Sequence, residues 1–377
     1  MAATLSRSEK LDWLQLARCD GVGPRTFFKL LKRFGCAARA YAELPRLAAE
    51  SGNPERWRRC PREVAEAELA AIEALGAHLM AHGEPAYPQR LAEIADPPPV
   101  LTVRGEPALL AQAAVAVVGA RNASGSGRPF APHLAGELAG GGLVVVSGLA
   151  RGIDTAAHDG ALAAGGTTVA VLACGVDVAY PPDNAKLLGR IVEAGAVVSE
   201  RPLGAEPQAR HFPKRNRLIA GLSLGVVVVE AEPQSGSLIT ARLAAEQGRE
   251  VMAVPGSPLD PRHRGTNQLL REGAALVESA EDVRAALGSA LQPAPAPRRR
   301  PLVPAPPPPA PAPAPATNGT GLDRLICERL GPVPLLVDEL IRQCDGRAAE
   351  VQRTLLELEL SGRIERHPGN RVALVAG

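Results

Sequence analysis

The sequence has few aromatic residues, no paired cysteine motif and almost no net charge. Only ten of its 377 residues are Phe, Trp or Tyr, and the formal net charge is +2. Its six cysteines lie far apart without a CxxC pair. This spacing argues against a disulfide framework or a zinc site and favours reduced thiols in the cytoplasm. His78 and His82 have the i,i+4 spacing of a metal pair, but no further ligand completes a set, so we expect no metal and no cofactor.

Long apolar runs are also missing. No stretch reaches the roughly 18 uninterrupted apolar residues that a membrane span requires, and the N-terminus lacks the pattern of a signal peptide. We therefore expect a soluble, cytoplasmic protein without a membrane span.

The prolines are abundant but unevenly distributed. Twelve of the 36 lie between Gln292 and Ala316, where Pro and Ala dominate. Proline cannot continue a helix, so this stretch is predicted to be an extended, semi-rigid spacer. It is the linker (292–319) between the body of the chain and a tail (320–377). The body divides near residue 85, where the pattern changes from a helical region (1–84) to an α/β domain (85–291).

The N-terminal region has apolar residues at helical spacing on both sides of Gly21-Val22-Gly23-Pro24. Two helices around a small glycine turn are typical of a helix-hairpin-helix motif, whose turn amides approach a DNA phosphate. A hairpin that merely packs two helices has the same pattern, so both interpretations stay open here. The following segment, PREVAEAELAAIEALGAHL, is also helix-like.

Strands alternate with helices from about residue 99 to 288. The strands are continuous apolar runs, as strands buried on both faces require: VAVV (115–118), LVVVS (143–147), TVAVLA (168–173), AVVS (196–199), GVVVVE (225–230), VMAVP (251–255) and ALVES (275–279). This alternation predicts a Rossmann-like, doubly wound parallel sheet with a binding crevice at the carboxyl ends of its strands.

The loops at these strand ends are rich in phosphate-binding residue types. The first, from Gly119 to Gly127, contains Arg121 and Ser124, but it is not a GxGxxG loop, and no acid ends the second strand. NAD binding is therefore disfavoured, whereas phosphate binding remains. The next loop holds Arg151 and Gly152. Asp154 and His158 follow on its helix, and we interpret them as a helix cap and a packing histidine rather than an acid/base pair.

The basic residues of this domain are concentrated in one segment. Residues 85–291 contain 18 Lys and Arg against 20 Asp and Glu, whereas residues 201–217 contain five basic residues and one acid. The segment places Phe212, Lys214, Arg215, Asn216 and Arg217 at the start of a helix, where an anion would offset their repulsion by the helix dipole. Two further loops precede helices and complete the predicted site with Ser235, Gly236, Ser237, Thr266 and Asn267.

So many phosphate-capable loops exceed what one nucleotide needs and indicate a polyanion. With only Tyr87, Phe130, Tyr180 and Phe212 as aromatics in this domain, binding should depend on phosphates with little sequence preference. A flexible single strand fits a crevice between strand ends better than a duplex does.

Several long motifs occur in one order: VAVVGARNAS, VSGLARGIDTAAH, VAVLACGVDVAYPPDN, VVSERPLG, HFPKRNRLIAGLS, VVVVEAEPQSGSLITARLAAEQGREVMAVPG and GTNQLLREGA. They resemble the successive motifs of the DNA processing protein A (DprA, or Smf) family over residues 85–288. The resemblance implies a non-enzymatic, homodimeric protein that binds single-stranded DNA, protects incoming DNA during natural transformation and loads the RecA recombinase onto it. It implies phosphate contacts at Gly119, Arg121, Ser124, Arg151, Lys214 to Arg217 and Ser235 to Ser237.

The helical region similarly resembles the sterile-alpha-motif-like or helix-hairpin-helix domain of this family, and the tail resembles its winged helix. The tail has three helix-like segments and a hairpin around Pro368-Gly369-Asn370, but eight basic residues, nine acidic residues and no aromatic residue. A neutral domain binds phosphates poorly, so we expect it to contact protein or to regulate.

Two other functions remain as alternatives. A phosphoribohydrolase-like, nucleotide-binding enzyme has a similar fold, but the stretch PGSPLDPRHRGTNQLL lacks the glutamate of the PGGxGTxxE motif. In the third interpretation, a pure interaction scaffold, the basic segment would meet an acidic protein surface.

Overall fold

A computed structural model describes residues 4–50, 57–291, 322–331, 334–344, 348–367 and 369–375. The predicted linker, residues 292–319, lies outside the described residues. The chain forms two compact units: Met1–Arg18 with Cys60–Pro295, and Cys19–Arg59 with Ala296–Gly377. None of the described helices is long and apolar enough to cross a membrane.

The first unit contains a nine-stranded sheet. Its strands lie in the order β1-β2-β6-β5-β4-β3-β7-β8-β9. Their bounds are β1 (His78–Ala81), β2 (Val100–Gly105), β3 (Ala114–Val118), β4 (Val144–Ser147), β5 (Thr168–Val171), β6 (Ala196–Ser199), β7 (Gly225–Val228), β8 (Glu250–Ala253) and β9 (Ala275–Leu276).

The seven predicted strands all form and pair in parallel, which confirms the doubly wound sheet. From β3 the chain builds outward through β4, β5 and β6, and then returns to place β7 on the other side of β3. The order therefore reverses between β3 and β7. Such a reversal opens a crevice at the carboxyl ends of the two strands, because their connections leave toward opposite sides.

Helices cover both faces of this sheet. They are α1 (Arg7–Ala17), α4 (Arg62–Ala74), α5 (Gln89–Ala92), α6 (Gly127–Gly140), α7 (Ile153–Ala163), α8 (Ala185–Ala194), α9 (His211–Leu222), α10 (Gly236–Glu246), α11 (Arg264–Arg271) and α12 (Ala280–Leu287). Short 3-10 segments lie at Pro107–Ala111, Pro182–Asn184, Pro261–His263 and Gly288–Leu291.

Strand β3 shows why the apolar runs are uninterrupted. Val115 and Val117 pack against α6 and α7, whereas Ala116 and Val118 pack in a second core with α9 and α10. Because successive side chains of a strand point to opposite faces, a strand covered by helices on both sides must be apolar throughout.

One prediction is wrong at the start of this unit. The segment 61–79 was expected to be helical to its end, but α4 ends at Ala74, and His78 and Leu79 lie in β1. Gly76, with φ 67°, breaks the helix. Strand β1 pairs antiparallel with β2, and β2 pairs antiparallel with β6, so two strands that we did not predict extend the sheet.

The second unit joins part of the N-terminal region to the tail. Its elements are α2 (Pro24–Phe34), α3 (Ala37–Glu50), α13 (Leu322–Arg329), β10 (Leu335–Leu336), α14 (Val337–Gln343), α15 (Ala348–Leu360), β11 (Ile364–His367) and β12 (Arg371–Leu374). The elements of the tail form the predicted winged helix around one apolar core. Pro24 begins α2 directly after the glycine turn, where its missing amide hydrogen costs nothing.

Acidic side chains of the winged helix contact α2 within this unit. Lys29 forms an ion pair with Glu359 of α15. Burial lowers the pKa of Arg33, and the negative charge of Glu357 opposes this effect. These carboxylates offset basic residues of α2, as expected for a winged helix with no excess of positive charge.

Candidate nucleic-acid interface

The crevice between β3 and β7 contains a cavity of about 430 Å³, which we call the switch-point cavity. Four chain segments line it: the loop after β3, the loop after β4, the start of α9 and the loop before α10. Sequence-predicted residues on its wall are Gly119, Arg121, Phe212, Arg215, Asn216, Ser235, Gly236 and Ser237. The fold thus brings together residues from loops that are more than 100 positions apart.

Arg215 forms the floor of this cavity. Its side chain is buried, and its Nη1 donates to the carbonyl oxygens of Gly148 (2.7 Å) and Val171. Burial lowers the pKa of Arg215, whereas the nearby Asp154 carboxylate opposes this shift. A buried cation persists only when carbonyls and an opposite charge compensate it. Arg215 therefore fastens the start of α9 to the ends of the central strands.

Phe212 and Tyr180 form an aromatic surface beside the cavity. The two ring centroids are 5.7 Å apart. The guanidinium carbon of Arg121 lies 5.4 Å from the centroid of the Phe212 ring, and that of Arg215 lies 5.9 Å from it. These are cation–π distances. Half of the four aromatic residues of the α/β domain therefore meet at one place, where a nucleobase could stack.

Two exposed cations, Arg121 on the cavity wall and Lys214 on α9, have no acidic partner among the described residues. Both side chains are exposed, and neither forms an ion pair or a hydrogen bond with another described residue. Most basic residues nearby are already neutralised. An unpaired cation beside a concave surface attracts an anion without first having to give up a protein partner.

The start of α10 supplies a helix N-terminus to the same cavity. The hydroxyl of Ser235 caps this helix by accepting from the amide of Ser237 at 3.3 Å. Asn216 of α9 donates its side-chain amide to the carbonyl oxygen of Gly236 at 3.1 Å. The positive end of the α10 dipole is therefore held at the cavity wall, where it favours an anion.

Part of the loop after β3 is held by hydrogen bonds to a buried carboxylate. Ser124 donates its amide (3.0 Å) and its hydroxyl to the carboxylate of Glu230. The amides of Ser126 and Gly127 donate in turn to the Ser124 hydroxyl oxygen, at 3.2 and 2.9 Å. The amides of Ser124, Ser126 and Gly127 are therefore used within the protein and are not available to an anion.

A second buried carboxylate joins this loop to the next one. Asp154 accepts from the amides of Gly148 (3.2 Å) and Ala150 (3.4 Å), and the Gly119 amide also lowers its pKa. Burial has the larger effect and raises the pKa of Asp154. Gly152, at φ 78°, lets the second loop approach the backbone of Ala120, where a side chain would collide. Asp154 is thus a loop-binding acid at the start of α7.

The structure does not bring all of the predicted residues to the cavity. Lys214 is exposed on α9 but is not among the residues that line it. Arg217 is two residues after Arg215 and so is rotated by about 200° around α9. There it pairs with Glu200 and, at 3.6 Å, with Asp96. Arg151 forms an exposed ion pair with Asp183 at 2.9 Å.

The two residues of α11 also have structural partners. Thr266 is fully buried, and its hydroxyl donates to the carbonyl oxygen of His263. The side-chain amide of Asn267 bonds both the amide and the carbonyl oxygen of Gly256. They stabilise the loop after β8 rather than line the switch-point cavity.

A second cavity, of about 520 Å³, lies at the ends of β7, β8 and β9. The carboxylates on its wall belong to Glu230, Asp260 and Glu278, and its described lining residues include no Lys or Arg. Its charge disfavours phosphate, in contrast to the switch-point cavity. Within the described part of the chain, no group of His, Cys, Asp and Glu side chains could hold a metal ion.

Glu230, which holds the loop after β3 through Ser124, was not indicated by the sequence patterns. It directly follows the apolar run of β7, and its side chain is fully buried. An acid that ends a strand buried on both faces has to find hydrogen-bond donors inside the protein. That position was the one available signal in the sequence.

Comparison with known proteins supports the assignment of all three domains. Residues 78–288 match the family model of DNA recombination-mediator protein A. Residues 7–71 match the DprA-like N-terminal HHH domain, and residues 305–370 match the DprA winged-helix domain. The HHH match supports the helix-hairpin-helix interpretation of the N-terminal glycine turn.

Individual relatives agree with these models. Protein Smf of Escherichia coli is 37% identical over 321 residues, covering 85% of this chain and 83% of that protein. DNA processing protein DprA of Streptococcus pneumoniae is 49% identical over 199 residues, covering 53% of this chain and 70% of the relative. The X-ray structure of DprA from S. pneumoniae superposes with a TM-score of 0.62 at 37% identity and covers 76% of this chain and 98% of its own.

A second solved structure is DNA processing protein A from Helicobacter pylori, described for its single-stranded-DNA binding mode. It has a TM-score of 0.51 at 30% identity and covers 56% of this chain and 95% of its own. The domain order, the central sheet and the extent of these matches agree, and the chain belongs to the DNA recombination-mediator protein A (DprA/Smf) family.

Proposed function

We propose that this protein binds single-stranded DNA at the switch-point cavity, as a recombination mediator without catalytic activity. The observation that carries this proposal is Arg121, an exposed cation without an ion pair among the described residues, over the aromatic surface of Phe212 and Tyr180. Lys214 adds a second exposed cation two residues after Phe212 on α9. Cations that contact phosphates and rings that stack bases are the two components of a single-strand site.

Single strands should bind better than duplexes. The Phe212 ring lies at the wall of a cavity and is only partly exposed. A base reaches such a ring only after it has left its stack. The free energy of removing a base from its stack is smaller in a single strand than in a duplex, where the base is also paired. Little sequence preference is expected, because every base has a stacking face.

The larger biological role extends from this binding. We propose that the protein, as a homodimer, protects incoming DNA in natural transformation and loads the RecA recombinase onto it. Family membership and the single-strand site support this role. It requires that a bound strand remains accessible to the recombinase, and an open cavity that binds mainly by phosphates meets that requirement.

The phosphoribohydrolase-like alternative has less support. The Gly265-Thr266-Asn267 stretch lacks the following glutamate, and the Thr266 hydroxyl is buried against the His263 carbonyl. If the protein were only an interaction scaffold that contacts an acidic protein surface, the aromatic surface beside Arg121 would not be explained.

Binding of a labelled single strand of mixed sequence, measured at several salt concentrations, tests the proposal. Expected results are a preference over the matching duplex, affinity that falls steeply with salt and no release of base from nucleoside monophosphates. Equal affinity for both DNA forms, or steady turnover of a nucleotide, would contradict it. RecA filament growth on protein-bound DNA, with and without this protein, tests the loading role separately.

A further inference from the structure

Glu230 connects two parts of the first unit that are distant in the chain. Its carboxylate accepts the amide and the hydroxyl of Ser124, 106 residues away in the sequence. The side chain is fully buried at the end of β7. It occupies the space next to Gly127, where any added side chain would overlap with the carboxylate. An acid is thus built into the junction between β7 and the start of α6.

Ser124 passes this interaction on to the backbone. Its hydroxyl donates to Glu230, and its oxygen accepts the amides of Ser126 and Gly127. The last residues of the loop are therefore fixed relative to β7. Without the carboxylate, the buried Ser124 amide and hydroxyl would lose their acceptor, and the loop would relax to find another.

The opposite end of the loop is fixed as well. The backbone amide of Ile153 donates to the carbonyl oxygen of Ala120 at 3.2 Å. Arg121 lies between these two attachments, and its guanidinium sits over the Phe212 ring without a hydrogen bond of its own among the described residues. The fixed backbone and the Phe212 ring, rather than an ion pair or a hydrogen bond, therefore set the position of this arginine.

We propose that Glu230 is a positioning residue for single-stranded DNA, acting through the placement of Arg121. This inference rests on the proposed single-strand function. A fixed loop spares the complex the entropy of ordering Arg121 on binding. It also predicts an effect opposite to that of charge alone, because removing a negative charge from the protein would otherwise strengthen its attraction for a polyanion.

Glu230→Gln is the sharpest variant. The side-chain oxygen of a glutamine can accept a hydrogen bond from the amide or from the hydroxyl of Ser124. Its NH₂ group is a donor only, so it cannot accept the second of these hydrogen bonds. We expect single-strand affinity to fall about tenfold, because the freed loop and the Arg121 side chain must then be ordered when DNA binds. Glu230→Ala should lower it further. Unchanged or increased affinity in Glu230→Gln would overturn the proposal.

A double-mutant cycle separates positioning from general damage to the fold. In an Arg121→Ala background, Glu230→Gln should change affinity less than about twofold, because the residue it acts through is gone. Lys214 lies on α9, outside the loop that Glu230 holds. In a Lys214→Ala background the full tenfold loss should therefore remain. Equal losses in both backgrounds would show that Glu230 does not act through Arg121.

Hydrogen exchange of the DNA-free protein tests the same idea without DNA. Glu230→Gln should accelerate exchange in residues 119–127 while β3 and β4 remain protected. Should Glu230→Gln fold poorly, Ser124→Ala removes the same relay from the other side and should give the same pattern. Faster exchange with no DNA binding even in the unaltered protein would refute the proposed function. Normal DNA binding with unchanged exchange would refute the role of Glu230.

Discussion

Arg121 and Lys214 can be reversed together to measure how much of the affinity the switch-point cavity supplies. Both side chains are exposed, and neither has a hydrogen bond or ion pair among the described residues, so their replacement by Glu should hardly change stability. Each loses one charge-assisted contact with a phosphate, of about 1.5–3 kcal/mol. Two such losses predict an affinity roughly 10²- to 10⁴-fold weaker.

The salt dependence gives a second, independent magnitude. Each phosphate contact on a single strand contributes a slope of about −0.7 to the logarithm of the binding constant against the logarithm of salt concentration. The double variant should therefore bind with a slope shallower by about 1.4. Fluorescence anisotropy of a labelled strand, recorded across a salt series, measures both the affinity and the slope.

Arg190→Glu combined with Arg242→Glu is the matched control. It changes the net charge by the same amount, and both arginines are exposed partners of surface acids, Asp159 at 2.5 Å and Glu246 at 3.6 Å. Such pairs contribute little to stability. If the Arg121/Lys214 variant binds within about threefold of the control, or has the same salt slope, the site assignment is wrong.

Three further predictions concern the rest of the molecule. Removing residues 320–377 should leave single-strand affinity within about threefold in the same assay, because the site lies in the first unit and the tail has no excess positive charge; a large loss would contradict this. In Gly160→Ala the added methyl group would overlap with the Pro132 backbone, so we expect a loss of about 1–3 kcal/mol of stability and a lower thermal midpoint. Gly189→Ala lies on an open helix surface and should raise the midpoint. Equal shifts in the two variants would contradict the packing argument. Burial lowers the pKa of His158 to about 3 in the folded protein, from about 6.5 in the unfolded chain. Between these two values only the unfolded chain binds a proton at this residue, so stability is lost as pH falls from about 6.5 toward 3. Replacing His158 by Gln should flatten the stability profile by about 1.4 kcal/mol per pH unit between pH 6 and 4, and denaturation midpoints with parallel profiles would refute this.

Much of the fold could be predicted because its signals are local. The five central parallel strands, β3 to β7, are apolar runs, and burial on both faces is visible in the residues of each strand alone. The glycine turn before Pro24 similarly indicates its own helix boundary. Strands β1 and β2 were missed because they pair antiparallel at the edge of the sheet, outside the βα repetition that revealed the others.

The candidate site was predictable only in part. Loops that follow parallel strands must meet at one edge, so the sequence indicates that Arg121, Phe212 and Ser235 lie near each other. It does not indicate which way a side chain points within a helix that is basic along its first turns. Arg215 turns into the sheet to bind the carbonyl of Gly148, whereas Arg217 turns away to Glu200.

The sequence by itself determined the alternation of strands and helices, the edge of the sheet where the polar loops meet, and the resemblance to the family. Only the tertiary structure decided which polar groups remain available there. Ser124 and Glu230 are 106 residues apart, and they meet because β7 returns to lie beside β3. Hydrogen-bond partners depend on which strands become neighbours, and strand order is a property of the whole chain rather than of any segment.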